Sequence, residues 1–160
     1  MRIGINGTGD LASLPAMVDA VGRAEADGFD SYWIAQIFGL DALTALAVAG
    51  REVPRIELGT AVVPTSPRHP MMLAGQALTV QSTTGDRLAL GVGLSHRIVV
   101  ESLWGYSYEA PVRHMREYLD ALLPLLRGEA ADVHAEDVTS VGSLDVEGAA
   151  APPVAVGALG

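Results

Sequence analysis

The sequence predicts an α/β protein built on a parallel sheet. Three observations lead there. Apolar, β-branched runs occur without polar alternation, as in Ile56-Glu57-Leu58-Gly59-Thr60-Ala61-Val62-Val63, and strands buried on both faces belong to parallel sheets covered by helices. Each run breaks at its C-terminal end into Gly, Asn, Thr, Ser or His. Each break leads into helically spaced apolar residues, and strand-helix alternation implies right-handed crossovers.

The elements follow in order. Arg2 to Asn6 reads as the first strand, and Asn6-Gly7-Thr8-Gly9-Asp10 is its flexible exit. Ser13 is placed to cap a helix, Pro15 sits in its first turn, and Met17, Val18, Val21 and Ala24 form its apolar stripe until Gly28 stops it. Phe29 to Ala35 is the second strand, leaving through Gln36-Ile37-Phe38-Gly39. Asp41 caps a helix carrying Leu43, Leu46 and Ala47 on one face, with Gly50 as its expected end. Ile56 to Val63 is the third strand, and Pro70 opens the helix of Met72, Leu73, Gln76 and Val80. Gly85-Asp86 turns the chain into the fourth strand, Leu88 to Gly93, whose exit is Leu94-Ser95-His96-Arg97. A linker holding Trp104, Tyr106 and Tyr108 reaches Pro111; those aromatics either line an entrance or pack the linker. Met115, Leu119, Leu122, Leu123 and Leu126 then mark an amphipathic helix, and Pro124 should bend or fray its last turn.

Four β-α units thus occupy 1–128. Residues 129–151 lose the pattern and read as a surface excursion, a small hairpin, in which Val138 to Val146 hints at a short extended piece. Residues 152–160 begin a fifth buried strand. An apolar strand edge without a partner invites pairing with another chain, so the sequence reads as part of something larger. Periodicity does not decide between an open sheet and a closed barrel.

Composition bounds the function. The chain has 160 residues, enough for one domain, with 49% hydrophobic and 18% charged residues, which excludes intrinsic disorder. No apolar run reaches the roughly 20 residues needed to cross a bilayer, and no basic segment followed by an apolar core opens the sequence. The expectation is a soluble, cytoplasmic, enzyme-like domain. Cysteine is absent, excluding disulfides and thiolate chemistry. The net charge is −9, and all 10 basic residues are Arg; a nucleic-acid groove or an anionic membrane surface needs a clustered positive field instead.

Ile3-Gly4-Ile5, Asp30-Ser31-Tyr32-Trp33, Leu58-Gly59-Thr60-Ala61-Val62 and above all Gly91-Val92-Gly93-Leu94-Ser95-His96 give the chain a specific resemblance. It resembles the N-terminal half of the luciferase-like flavin or deazaflavin oxidoreductases, especially the branch dependent on coenzyme F420. The resemblance implies a (β/α)8 barrel, here about its first half, with residues 1–160 the N-terminal part of a single barrel domain. It implies a cofactor across the C-terminal strand ends, where such barrels place their chemistry. It also implies a homodimer and a small-molecule substrate. The implied activity is hydride transfer between reduced F420 and an organic substrate. Two alternatives stand beside it: an FMN-dependent monooxygenase, and a non-catalytic half-barrel that pairs through its open strand edges.

The strand exits supply the candidate residues. For the cofactor these are Asn6, Thr60, Ala61, Val62, Gly93, Ser95, Gly157 and Ala158, and for catalysis His96 and Gln36. The resemblance implies a non-prolyl cis peptide at Ala61-Val62, buttressing the cofactor's central ring. An imidazole titrates near neutrality, which suits His96 to proton exchange with a substrate oxygen; the plainer reading makes it a loop hydrogen-bonder. Gln36 stands where some relatives carry a catalytic His, and a carboxamide orients but does not titrate. Ser95 has no activating base at hydrolase spacing and reads as a donor to the cofactor. Gly91-Val92-Gly93 lacks the third glycine of a dinucleotide fingerprint; these glycines are expected to let the backbone approach a flat ring. His69 reads as a rim or solvated loop residue, and His114 and His134 as surface residues. No His or carboxylate pair has metal-ligand spacing.

Overall fold

The computed structural model describes residues 1–7, 13–36 and 38–157. Four strands and four helices alternate as the sequence predicts: β1 (Gly4–Asn6), α1 (Leu14–Ala26), β2 (Ser31–Ile34), α2 (Ala42–Glu52), β3 (Glu57–Thr60) with its continuation β4 (Val63–Pro64), α3 (Pro70–Thr84), β5 (Leu88–Gly93) and α4 (Pro111–Leu126). A hairpin of β6 (Ala131–His134) and β7 (Thr139–Gly142) follows, and β8 (Val154–Gly157) ends the described chain. The expected third strand is therefore two pieces. The break falls at Ala61-Val62, whose peptide bond is cis.

Every pairing in the main sheet is parallel. β1 pairs β2, β2 pairs β3, and β3 pairs β5 through Leu58 and Leu88. Val92 and Gly93 pair both with Val63 and Pro64 of β4 and with Val156 and Gly157 of β8, so β4 and β8 flank β5 on opposite sides. The spatial order thus follows chain order and never reverses. Tyr32, Ile34, Leu58, Leu88, Leu90 and Val92 face one way into a single core with Met17 and Val21 of α1, Leu43 and Leu46 of α2, Leu73 and Ala77 of α3, and Tyr118 and Leu122 of α4. Helices confined to one face of an unreversed parallel sheet are barrel topology; a doubly wound sheet reverses and covers both faces. The outer strands β1 and β8 are open, with Ile3 49% and Val156 47% exposed.

Local chemistry sets the element ends. Ser13 Oγ accepts from the Ala16 N–H at 3.4 Å and Asp41 Oδ1 from the Thr44 N–H at 2.9 Å, and Gly28 and Gly85 turn the chain at φ 85° and 66°. Gly50 does not end α2, which runs on to Glu52. Its glycine serves packing: a Cβ there would lie 2.3 Å from Thr84 Cγ2 and 2.9 Å from Leu58 Cδ1. Pro124 leaves α4 intact to Leu126, and the last turn tightens as the Arg127 N–H reaches the Pro124 carbonyl at 2.9 Å. The excursion is more than surface, since Ala131, Val138 and Ser140 are buried and Leu144, Val146 and Ala149 pack on the core.

At the N-terminal end of the sheet Arg87 gathers loose carbonyls. Its guanidinium donates to Thr84 O at 2.7 Å, Val53 O at 3.1 Å, Ile56 O at 2.7 Å and Gly50 O at 2.6 Å. The C-termini of α2 and α3 and the approach to β3 are tied to one side chain. Among the described residues no helix is long and apolar enough to cross a membrane.

Candidate functional site

The strand tips form one rim because backbone hydrogen bonds stitch them together. Gly7 N–H donates to Trp33 O at 2.8 Å, Ala61 N–H to Ile34 O at 2.7 Å, Gln36 N–H to Val62 O at 3.2 Å and Thr65 N–H to Gly93 O at 2.9 Å. Below this rim, on the face turned away from the helices, alternation places Gly4, Trp33, Gly59, Ala89, Gly91, Gly93, Ala155 and Gly157. Of these only Trp33 is bulky; Asn6, Ser31 and Glu57 share the face. The face is small-sided near the rim, and the indole lies against Gly4 and Gly59 below it.

The predicted residues divide into three groups. Thr60, expected at the cofactor, is buried, and its hydroxyl accepts from Gly91 N–H and donates to Gly91 C=O, both at 2.8 Å. That oxygen replaces ladder bonds between β3 and β5 and is saturated within the sheet. The glycines also differ from expectation, because protein atoms already take the space they open. A Cβ on Gly91 would lie 1.9 Å from Thr60 O, one on Gly93 2.4 Å from Val62 Cγ2, and one on Gly157 3.0 Å from Val62 Cγ1. Val62, half-buried at the cis junction, spreads its methyls across the mouth. A ring entering here meets Ala61 and Val62 first.

Gln36 is half-buried, and its Oε1 accepts from the Ala42 N–H at 2.7 Å, satisfying the start of α2. That leaves only its amide nitrogen to turn toward a ligand. Asn6, His96 and Gly157 are exposed on the rim. Ser95 sits at φ 64° and its carbonyl accepts from the Tyr108 hydroxyl at 3.3 Å. The carbonyl of His96, not its ring, takes the N–H groups of Val99 and Val100 into a π-helical turn, Val99–Leu103. None of the described residues hydrogen-bonds its imidazole. Ala158, like Ile37 and Thr8 to Asp10 of the exit loops, lies outside the described residues.

The loop after β5 is internally braced. Arg97 lies over the Tyr108 ring at 5.3 Å, donates to Tyr108 O at 3.1 Å and pairs with Glu101 at 2.7 Å. Tyr108 therefore packs the linker, while Tyr106 is 48% exposed. Behind the rim, Arg68 pairs with Asp41. Burial would raise the Asp41 carboxyl, but bonds from Thr44 and Arg68 outweigh it and hold the group below its ordinary value. His114 is no surface residue: it is half-buried, hydrogen-bonded to Thr65 Oγ1 at 3.1 Å, and burial pulls its pKa down. His69 is exposed but structural. Its Nδ1 accepts from Met71 N–H at 3.2 Å, capping α3, so its Nε2 donates to Thr139 O at 2.8 Å in the hairpin. His134 is exposed, 3.3 Å from Asp132.

Sequence reasoning missed Trp33. The strand pattern places it opposite Tyr32 and Ile34, but its standing beside glycines on both neighbouring strands depends on register. An unreversed parallel sheet with one helical face is half of a (β/α)8 barrel. The chain belongs to the luciferase-like monooxygenase family, whose model matches residues 2–160. A Mycobacterium tuberculosis protein provisionally named a coenzyme F420-dependent oxidoreductase is 40% identical over 102 residues, which is 64% of this chain and 29% of that one. In structure, the coenzyme F420-dependent tetrahydromethanopterin reductase of Methanopyrus kandleri matches with a TM-score of 0.84 and 22% identity, over 99% of this chain and 50% of that one. The FMN-bound oxygenating constituent of 3,6-diketocamphane monooxygenase from Pseudomonas putida matches with a TM-score of 0.82 and 16% identity, over 98% and 51%. The chain spans half the length of the first of these solved relatives.

Proposed function

We propose that this chain is the N-terminal part of one barrel domain, and that the complete protein is an F420-dependent oxidoreductase acting on a small organic substrate. The observation that carries this reading is the rim itself: the cis Ala61-Val62 junction and its half-buried Val62 methyls stand at the strand tips above an inner face of Ala and Gly, an apolar surface suited to backing a flat ring and offering few partners to a charged ligand. The deazaflavin, when bound, supplies hydride chemistry.

This chain's own residues orient and exchange protons. Ala61 and Val62 back the ring and exclude water from one face. Asn6, Ser95 and the backbone of Gly93 and Gly157 supply the polar edge, and the amide nitrogen of Gln36 orients a carbonyl oxygen. His96 holds or accepts the proton at the substrate oxygen; its exposure and lack of a described partner support that role. Thr60 shapes the wall without touching the ligand.

The relative named for coenzyme F420 supports the deazaflavin. The FMN complex of a structural neighbour favours a second reading, an FMN-dependent monooxygenase. Titrating the complete protein with F420 and with FMN separates the two. Micromolar or tighter F420 binding without FMN binding supports the first, and FMN binding with an oxygen-dependent product overturns it. A homodimer belongs to the same reading. Its support is α3, Pro70–Thr84, which carries no charged residue and leaves Met72 63% exposed beside α2. Sedimentation as a monomer would refute it.

A further inference from the structure

We infer that Tyr108 is a positioning residue that holds the Ser95-His96 turn at the edge of the site; the inference rests on the functional reading above, in which those two side chains meet the ligand. Ser95 is the reason a holder is needed. It carries a Cβ yet sits at φ 64°, a left-handed conformation that costs an L-residue free energy and persists where the surroundings impose it. Both peptide units of the turn are fastened through their carbonyls. The Tyr108 hydroxyl donates to Ser95 O at 3.3 Å, and the N–H groups of Val99 and Val100 donate to His96 O at 2.9 and 3.0 Å. The second fastening is local and belongs to the π-helical turn Val99–Leu103. The first reaches back 13 residues along the chain.

Neither the Ser95 hydroxyl nor the His96 imidazole has a hydrogen-bond partner among the described residues. Where they stand is therefore set by the backbone beneath them, and Tyr108 holds that backbone from the side. Tyr108 is itself held. The Arg97 guanidinium lies 5.3 Å from the centre of its ring, donates to Tyr108 O at 3.1 Å and pairs with Glu101 at 2.7 Å. The Tyr106 N–H closes the linker onto Val100 O at 3.0 Å, and Val100 is buried, so the brace is anchored in the protein. The cleft that Tyr108 lines with Ser66, Leu94 and His114 measures about 40 Å³. It has room for water and none for a fused ring. Tyr108 acts on a ligand through Ser95 and His96, without touching it. Once its hydroxyl is gone, Ser95 is free to relax into the commoner conformations, carrying His96 with it.

Tyr108→Phe in the complete protein tests this, because it removes the hydroxyl and keeps the ring beneath Arg97. F420 dissociation constants are read by fluorescence, backbone order parameters of the Ser95 and His96 amides by nitrogen relaxation, and melting temperature in parallel. Tyr108→Phe should weaken F420 binding by about fivefold, the equivalent of one neutral hydrogen bond, and lower those order parameters from about 0.85 to below about 0.6. In a Ser95→Gly background the same change should move the constant by less than about twofold, because glycine enters the left-handed region freely and has no hydroxyl to misplace. If the protein binds FMN instead, the same cycle is run with FMN. A dissociation constant or order parameters unmoved by Tyr108→Phe, or equal weakening in both backgrounds, assigns Tyr108 to the stability of the linker and overturns the inference alone. Failure of the unaltered protein to bind either F420 or FMN overturns the functional reading, and the inference with it.

Discussion

Replacing Arg87 with Met tests how the N-terminal end of the sheet is held. The methionine keeps much of the aliphatic stem but removes a guanidinium that donates to Gly50, Val53, Ile56 and Thr84 carbonyls at 2.6 to 3.1 Å. Hydrogen bonds to a charged donor contribute about 1.5–3 kcal/mol each, and a stranded buried acceptor costs about 1–3 kcal/mol. Four such bonds on one group are not additive. Arg87 is half-buried, and water reaches part of the site once the side chain is gone. A net loss of about 3 kcal/mol is expected, which in a chain of 160 residues lowers the melting temperature by about 6–12 °C. Burial depresses the Arg87 pKa, with Glu25 opposing; the charge is held by carbonyl dipoles, since no carboxylate among the described residues pairs with it. Arg87→Lys should fall between, because an ammonium cannot span four acceptors in a plane. Urea and thermal denaturation of the complete protein measure both. A loss under about 1 kcal/mol for Arg87→Met would refute the claim that these carbonyls depend on one donor.

Gly50→Ala should cost about 1–3 kcal/mol in the same assay, since its Cβ would press Thr84 and Leu58; a neutral result would mean that α2 and α3 separate freely. His114 gives stability a pH dependence. Its folded pKa lies below the ordinary imidazole value of about 6.5, so the unfolded chain binds the proton more readily. The neutral ring's contribution is complete above that value and is lost as pH falls through the folded pKa. Stability of the parent should therefore decline more steeply on acidification below about pH 6.5 than that of His114→Gln, and parallel curves would contradict the burial argument. His96→Ala should lower turnover in the complete protein by about 10²–10⁴-fold while changing the F420 dissociation constant little, and unchanged turnover would demote it to the loop.

Much of the scaffold was legible because local chemistry wrote it. Ser13, Asp41, Pro70, Pro111, Gly28 and Gly85 mark boundaries through capping, fixed φ or left-handed turns, and each acts where read. Gly50 misled for a physical reason: helix-stopping and close packing call for the same residue. The extent of the hairpin was obscured because Ala131 to His134 has little apolar alternation and gains its order from packing on the core. The rim was visible as a set of strand exits, yet the duties of its members were not. Thr60 and Gln36 turned inward to backbone partners that lie next to them only in the folded sheet.

Periodicity, turn residues and crossover handedness are local, and they suffice for the alternation of strands and helices, the parallel pairing and the end of the sheet that carries the polar exits. The unreversed strand order, the single face shared by all four helices and the contact of Trp33 with Gly4 and Gly59 on the other face emerge in the assembled fold. Those facts belong to register and to the direction of each crossover. Both are settled by how whole elements fit together, and no single segment encodes them.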